Sequence, residues 1–230
     1  MQPYPCGNKR VAIEYIIWFN KSMARTAGAR NTQYDERRNS LIIKARERLE
    51  LQSGSPPSFR ELALSAGVSV ATLRHYFGNR EELIRAVFAY YLIGAERHLA
   101  RASQTESGEL SIELSGVLNR IAMGWTQGNV GALHRIGLSE GLRNPVTALH
   151  YLMDVLEPTL QALERRLETY RDQGVIREDT LPRHASLALL SPLVLALLHQ
   201  VDLGGTRCRP LAIPDLIQQH VAMFVRAYQR

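Results

Sequence analysis

At 230 residues and 45% hydrophobic content, the chain is long and apolar enough for one or two domains with a sizeable core. Cys6 and Cys208 are its only cysteines, which excludes a disulfide framework, and no C-x-x-C or close histidine pair suggests a metal; a reducing cytoplasm, with no cofactor, is the expected setting. The formal net charge is +6, and all the excess lies in the first third: five basic residues against one acidic in 1–34, nine against seven in 35–85, and fourteen of each in 86–230. That asymmetry fits a phosphate-binding end joined to a neutral body.

Residues 1–34 are expected to be an extension outside the first domain. Val11 to Phe19 is an apolar run after Lys9-Arg10 that superficially resembles a secretion signal, but Glu14, Lys21 and Arg25 argue against one. Two further readings stand open: a natural start at Met23, leaving a loosely ordered basic arm from Arg25 to Arg30, or an amphipathic helix packed on the body. An arm of that kind can enter a minor groove. Asp35 to Leu51 is predicted to be the first domain helix, with Leu41, Ile42, Ala45 and Leu49 at helical spacing. Gln52 to Pro57 follows as a linker loop.

Residues 58–83 are the most informative stretch. Ser58 is a helix N-cap candidate and Glu61 completes a capping box. Leu62, Ala63 and Ala66 give that helix an apolar side, and Gly67 ends it. Val68 plugs the turn and Ser69 caps a second short helix reaching Tyr76. Helix, tight turn and helix make the DNA-binding helix-turn-helix unit. A plain helical hairpin would account for Leu62, Leu73 and Phe77, but not for Thr72, Arg74, His75 and Tyr76 crowded on so short a helix.

In Gly67-Val68-Ser69, Thr72-Leu73, Tyr76-Phe77, Arg80 and Glu81, the chain resembles the tetracycline-repressor (TetR) family across residues 36–90. The resemblance implies an all-α fold. An amino-terminal three-helix helix-turn-helix domain (residues 35–82) is joined by a long fourth helix to a carboxyl-terminal helical effector-binding and dimerisation domain (residues 83–230). It implies a cytoplasmic, non-enzymatic transcription regulator, more a repressor than an activator. Its partners are a double-stranded DNA operator, a second copy of itself and an unidentified small-molecule effector, with no membrane. On that resemblance Arg60 reads bases, since an arginine can reach guanine O6 and N7 together. Ser69 caps the recognition helix, and Val70 and Ala71 suit thymine methyl groups. Thr72, Tyr76 and Arg80 are expected at phosphates, so that losing Arg80 would lower the salt dependence of binding. His75 can serve either. Arg74 stands where the family has tyrosine, which leaves open whether it reads guanine or binds phosphate.

Asn79 is predicted to cap a single fourth helix running to about Ala102. Helices are then predicted over Leu110–Gln127 and Gly131–Gly141, from Pro145 to Leu156, and from Pro158 to Gln173, where Gly174 stops the run. Leu181 to Gln200 is the most apolar stretch, with a kink expected at Pro192, and no apolar run in the chain is expected to approach the ~20 residues a membrane span needs. Pro214 to Tyr228 closes the chain. Tyr90, Tyr91, Met123, Trp125, His134, Tyr151 and Met153 are candidates for an effector pocket, against the plainer role of core filler. Leu193, Leu197, Ile213, Leu216, Ile217, His220 and Phe224 are candidates for a dimer interface. Two other classes compete: a helix-turn-helix protein without effector control, and a hydrolase using Gly137-Leu138-Ser139-Glu140-Gly141, which matches the G-x-S-x-G nucleophile elbow by letters. That elbow needs a preceding strand, whereas its surroundings here read as helical.

Overall fold

The computed structural model describes residues 29–51, 55–93, 95–105, 108–128 and 130–230. The readings of Val11–Phe19, of a start at Met23 and of an arm from Arg25 lie outside these residues. Between Ala29 and Glu50 the sequence has neither glycine nor proline, and it forms one helix, α1 (Ala29–Glu50). The first domain helix therefore begins six residues before the predicted Asp35, inside what was read as the extension. The chain divides into two units, residues 1–40 and 41–230. In the first, residues 32–37 of α1 are solvent-exposed.

The second unit is built from helices, and no strand occurs among the described residues. Two short helices follow α1: α2 (Phe59–Ser65) and α3 (Val70–Phe77). Next come α4 (Arg80–Leu92), α5 (Ala95–Ser103), α6 (Leu110–Gln127) and α7 (Val130–Gly141). α8 (Pro145–Tyr151) runs without interruption through a π turn, Leu152–Leu156, into α9 (Glu157–Asp172). α10 (Pro182–Leu197) likewise continues through a π turn, Leu198–Asp202, and α11 (Ile213–Tyr228) ends the chain.

Two of these differ from the sequence-based expectation. The fourth helix is not continuous: Ile93 leaves the helical region at ψ 117°, so α4 and α5 are separate. A β-branched residue followed in sequence by Gly94 combines two poor helix formers. Pro158 stands at the start of α9, as expected, but without a break from α8. It falls in the first turn after the π turn, where Glu157 N–H bonds the Leu152 carbonyl, and its missing N–H interrupts nothing. Pro192 sits inside α10, and the helix survives it. The carbonyl it leaves without an intrahelical donor is that of Ala188, an exposed position where water can serve.

The core falls into two clusters. Leu41, Ile42 and Ala45 of α1 pack with Leu62, Leu73, Phe77, Leu83, Ile84, Val87 and Phe88, and that cluster extends to Leu133, Ile136, Tyr151 and Val155 of the body. The helix-turn-helix therefore shares its core with α7, α8 and the π turn. The second cluster joins α6, α9, α10 and α11 around Leu114, Leu163, Leu167, Leu193, Leu197 and Phe224. Pro182–Asp202 proves long and apolar enough, by length and composition, to cross a membrane, contrary to the expectation for this run. Its Leu189, Leu190, Leu193 and Leu197 lie buried in the second cluster, while Leu187 and Leu195 stay exposed.

Candidate nucleic-acid interface and its supports

The helix-turn-helix is assembled from local chemistry. Ser58 N–H donates to Glu61 Oε2 at 2.7 Å while Glu61 N–H donates back to Ser58 Oγ at 3.3 Å, closing the capping box on α2. Gly67 takes φ 70° in the turn, a conformation costly for any residue with a side chain. Lys44 Nζ of α1 donates to the Ala66 carbonyl at 3.3 Å, satisfying an acceptor freed at the end of α2. Ser69 Oγ accepts from Thr72 N–H at 3.0 Å and pairs with the Thr72 hydroxyl at 2.8 Å, capping α3. Leu73 and Phe77 are buried beneath.

What remains outward is polar. Arg60, Ser69, Ala71, Arg74 and His75 are exposed, and Val70, Thr72 and Tyr76 are half-buried. The rings of His75 and Tyr76 meet edge to face at 5.4 Å. One face of α3 thus carries a cation, an imidazole, hydroxyls and small apolar groups, a surface able to meet base edges and phosphates.

Arg80 is placed otherwise than expected. Its Nη1 and Nη2 donate to the two carboxylate oxygens of Glu140, at 2.8 and 2.7 Å, and its Nε donates to the Pro57 carbonyl at 2.8 Å. The Glu140 side chain is 5% exposed, so this is an internal ion pair rather than a surface one. Beside it, Asn144 Nδ2 donates to Glu81 at 3.0 Å, and Asn144 Oδ1 caps α8 by accepting from Val146 and Thr147.

Glu140 belongs to the Gly137–Gly141 motif, and the structure accounts for its letters without a nucleophile. All five residues lie in α7. A Cβ at Gly137 would overlap the ring of Tyr151, and one at Gly141 would stand 3.1 Å from the Cα of Ala148. The two glycines, one turn apart, let α8 lie directly on α7. Ser139 faces solvent on the other side.

Of the pocket candidates, Trp125, His134 and Tyr151 come together. The Trp125 indole stacks on the His134 ring at 4.4 Å, and His134 Nδ1 is hydrogen-bonded to the Tyr151 hydroxyl at 2.7 Å. Burial pushes the His134 imidazole down to about 4 and the Tyr151 phenol up to about 12. Trp125 Nε1 donates to Asp202, which also accepts from Arg135 at 2.6 Å. Asp202 escaped the sequence reading because only the fold brings it beside Trp125. Tyr90 and Tyr91 are half-buried and stack edge to face on each other, with the Arg46 guanidinium over Tyr91 at 4.4 Å. Met123 and Met153 are 54% and 43% exposed and face away from a shared interior.

The dimer candidates divide between the chain's own core and its partly exposed surface. Leu193, Leu197, Ile217 and Phe224 are buried within the chain's own core. His220 Nε2 donates to the Leu189 carbonyl at 2.9 Å, and Ile213 and Leu216 are half-buried. The apolar residues left outward on these two helices include Leu187, Ala188 and Leu195 of α10, with Ala222, Met223 and Ala227 of α11. The stripe read from the sequence is the inward one.

A further buried cluster left no mark in the sequence pattern. Arg166, 2% exposed, donates from Nε to the Ala102 carbonyl at 2.8 Å and from Nη2 to the Arg101 carbonyl at 3.1 Å. Its Nη1 reaches Glu113 and the Tyr170 hydroxyl, each at 3.0 Å, and Tyr170 in turn donates to Glu113. One arginine thus caps the end of α5 and neutralises a buried carboxylate. Burial first, then the bond to Glu113, raises the Tyr170 phenol well above its ordinary range.

Comparison with known proteins agrees with this geometry. Residues 45–87 match the family model described as bacterial regulatory proteins, tetR family. No curated protein matches by sequence. Among solved structures, the flavonoid-responsive regulator FrrA is 25% identical, with a TM-score of 0.64 over 85% of this chain and 98% of its own. Salmonella enterica GusR is 20% identical, with a TM-score of 0.62 over 83% and 96%. SmeT, the repressor of the Stenotrophomonas maltophilia multidrug efflux pump SmeDEF, is 18% identical, with a TM-score of 0.59 over 84% and 90%. The resemblance therefore spans nearly the whole of each of these structures, and the family match falls on the helix-turn-helix itself. Residues 45–87 thus carry the amino-terminal domain of the tetR family of bacterial regulatory proteins, and the chain as a whole is similar in fold to solved regulators.

Proposed function

We propose that the chain is a homodimeric repressor that binds a pseudo-palindromic DNA operator through α3 and releases it when a small molecule binds the body. The observation that carries this reading is the outward polar face of α3, with an exposed Arg60 on α2, in a helix-turn-helix whose two helices are capped and packed on a buried core. One short helix reads too few base pairs for useful specificity, and a two-fold pair reads two half-sites. The exposed apolar residues of α10 and α11 supply a surface for that pairing. The charge excess at the amino-terminal end supplies the electrostatic part of duplex binding.

Selection of duplexes from a random pool, followed by titration of a recovered sequence at several salt concentrations, tests the reading. Recovery of a pseudo-palindrome supports it; indifference to every duplex at moderate salt overturns it. For the effector, the relative FrrA is flavonoid-responsive, and the body here holds the aromatic group Trp125, His134 and Tyr151. Flat aromatic compounds, flavonoids first, are the probes to add to the DNA complex. A bound compound acts only through a difference in affinity between DNA-competent and incompetent conformers.

A further inference from the structure

The geometry points to Arg80 and Glu140 as a positioning pair that fixes the helix-turn-helix on the body, with Arg80 acting on DNA affinity without touching phosphate. This rests on the DNA-binding reading above and assigns a role that reading does not contain.

Three observations converge on it. First, the guanidinium is engaged through all three of its nitrogens: both terminal nitrogens on Glu140 and Nε on the Pro57 carbonyl. A phosphate contact would have to compete with a two-pronged bond to a carboxylate that is almost wholly desolvated. Second, the three partners come from three segments. Pro57 immediately precedes the cap of α2, Arg80 opens α4, and Glu140 ends α7 in the body. A single side chain therefore sets where α2 starts relative to α4 and ties both to α7. Third, the tie is doubled one residue along, where Asn144 of the α8 cap binds Glu81. α7 and α8 are themselves locked by the glycine contacts at 137 and 141, so a shift of this pair of helices is transmitted to Arg80 rather than absorbed between them.

The chemistry predicts opposite results for a positioning pair and for a phosphate contact. If Arg80 met phosphate, Glu140→Gln would leave binding unchanged or tighten it by freeing a cation and removing a nearby negative charge. Arg80→Ala would then flatten the salt dependence by about 0.9 per lost phosphate contact. As a positioning pair, Arg80→Ala and Glu140→Gln each weaken binding to a selected duplex by roughly three- to thirtyfold. The salt slope is unchanged, and the double variant is no worse than the single ones.

The charge-exchanged variant Arg80→Glu with Glu140→Arg keeps the experiment decisive where a single variant folds poorly. Recovery of binding in the exchanged protein, above either single exchange, supports the pair. Further loss in the exchanged protein, a flattened slope in Arg80→Ala, or tighter binding in Glu140→Gln overturns it. Wild-type chain that binds no duplex at all defeats the DNA-binding reading instead, a result separate from all of these.

Discussion

The ring of Tyr151 lies on Gly137 so closely that a single methyl group at residue 137 would overlap it. Gly137→Ala therefore forces Tyr151 or the whole of α8 to move. Overpacking of this kind costs about 1–3 kcal/mol, which a denaturant melt will register. Ser139→Ala, two residues along and exposed, should shift the same melt by less than about 0.5 kcal/mol and leave DNA affinity unaltered. Equal losses in both variants would contradict the packing role of the motif.

Arg166→Ala should be among the most damaging substitutions in the body. It leaves the Glu113 carboxylate buried without its cation and the carbonyls of Arg101 and Ala102 without their donor. Breaking a buried pair from one side costs about 3–5 kcal/mol. Replacing Arg166 and Glu113 together by methionine and leucine should recover part of that loss, measured by thermal and chemical unfolding.

Two buried groups give stability opposite dependences on pH. The folded imidazole of His134 sits at about 4 against an ordinary 6.5, so its contribution is complete above 6.5 and is lost as pH falls toward 4. Asp154 is pushed up to about 6 by burial, against the pull of Arg85, from an ordinary 3.8. Its folded value is raised, so its contribution is complete below 3.8 and is lost as pH rises through 6. Relative to Asp154→Asn, the wild type should gain up to about 3 kcal/mol as pH drops across that window. Relative to His134→Phe, it should lose up to about 3 kcal/mol over the acidic window. Unfolding curves at a series of pH values give both signs.

The outward faces of α10 and α11 separate assembly from folding. Leu195→Glu places a charge on an exposed residue and should leave the melt nearly unchanged while shifting sedimentation from dimer to monomer. Leu193→Ala removes a buried side chain and should cost about 2–5 kcal/mol without a comparable change in assembly.

At the DNA face, Arg60→Ala should relax preference at one base pair by about 1–3 kcal/mol, read by comparing the selected duplex with single-base variants. Arg74→Ala distinguishes its two open roles: a reduced salt slope marks phosphate, and a changed base preference marks the groove.

The helix-turn-helix was legible because its determinants are local. Ser58, Glu61, Gly67, Ser69 and Asn79 act within three or four residues of themselves, and their spacing is written in the chain. The pairing of Arg80 was hidden for the converse reason, since Glu140 lies sixty residues away and nothing in either neighbourhood announces it. Arg166 sits in an amphipathic run where an arginine usually marks the solvent face, so its burial was invisible. The stripe Leu193, Leu197, Ile217 and Phe224 was correctly apolar, but periodicity does not say whether a greasy face meets its own chain or another. The break at Ile93 and the passage through Pro158 were decided by backbone details that propensity only weakly encodes.

Because Arg166 reaches the tail of α5 while itself rooted in α9, those helices cannot slide past one another without stranding a bare charge in oil-like surroundings. α5, α6 and α9 should travel as a single block. Bending between that block and α4 then falls on Ile93, where the described backbone leaves the helical region and the side chain stands in solvent.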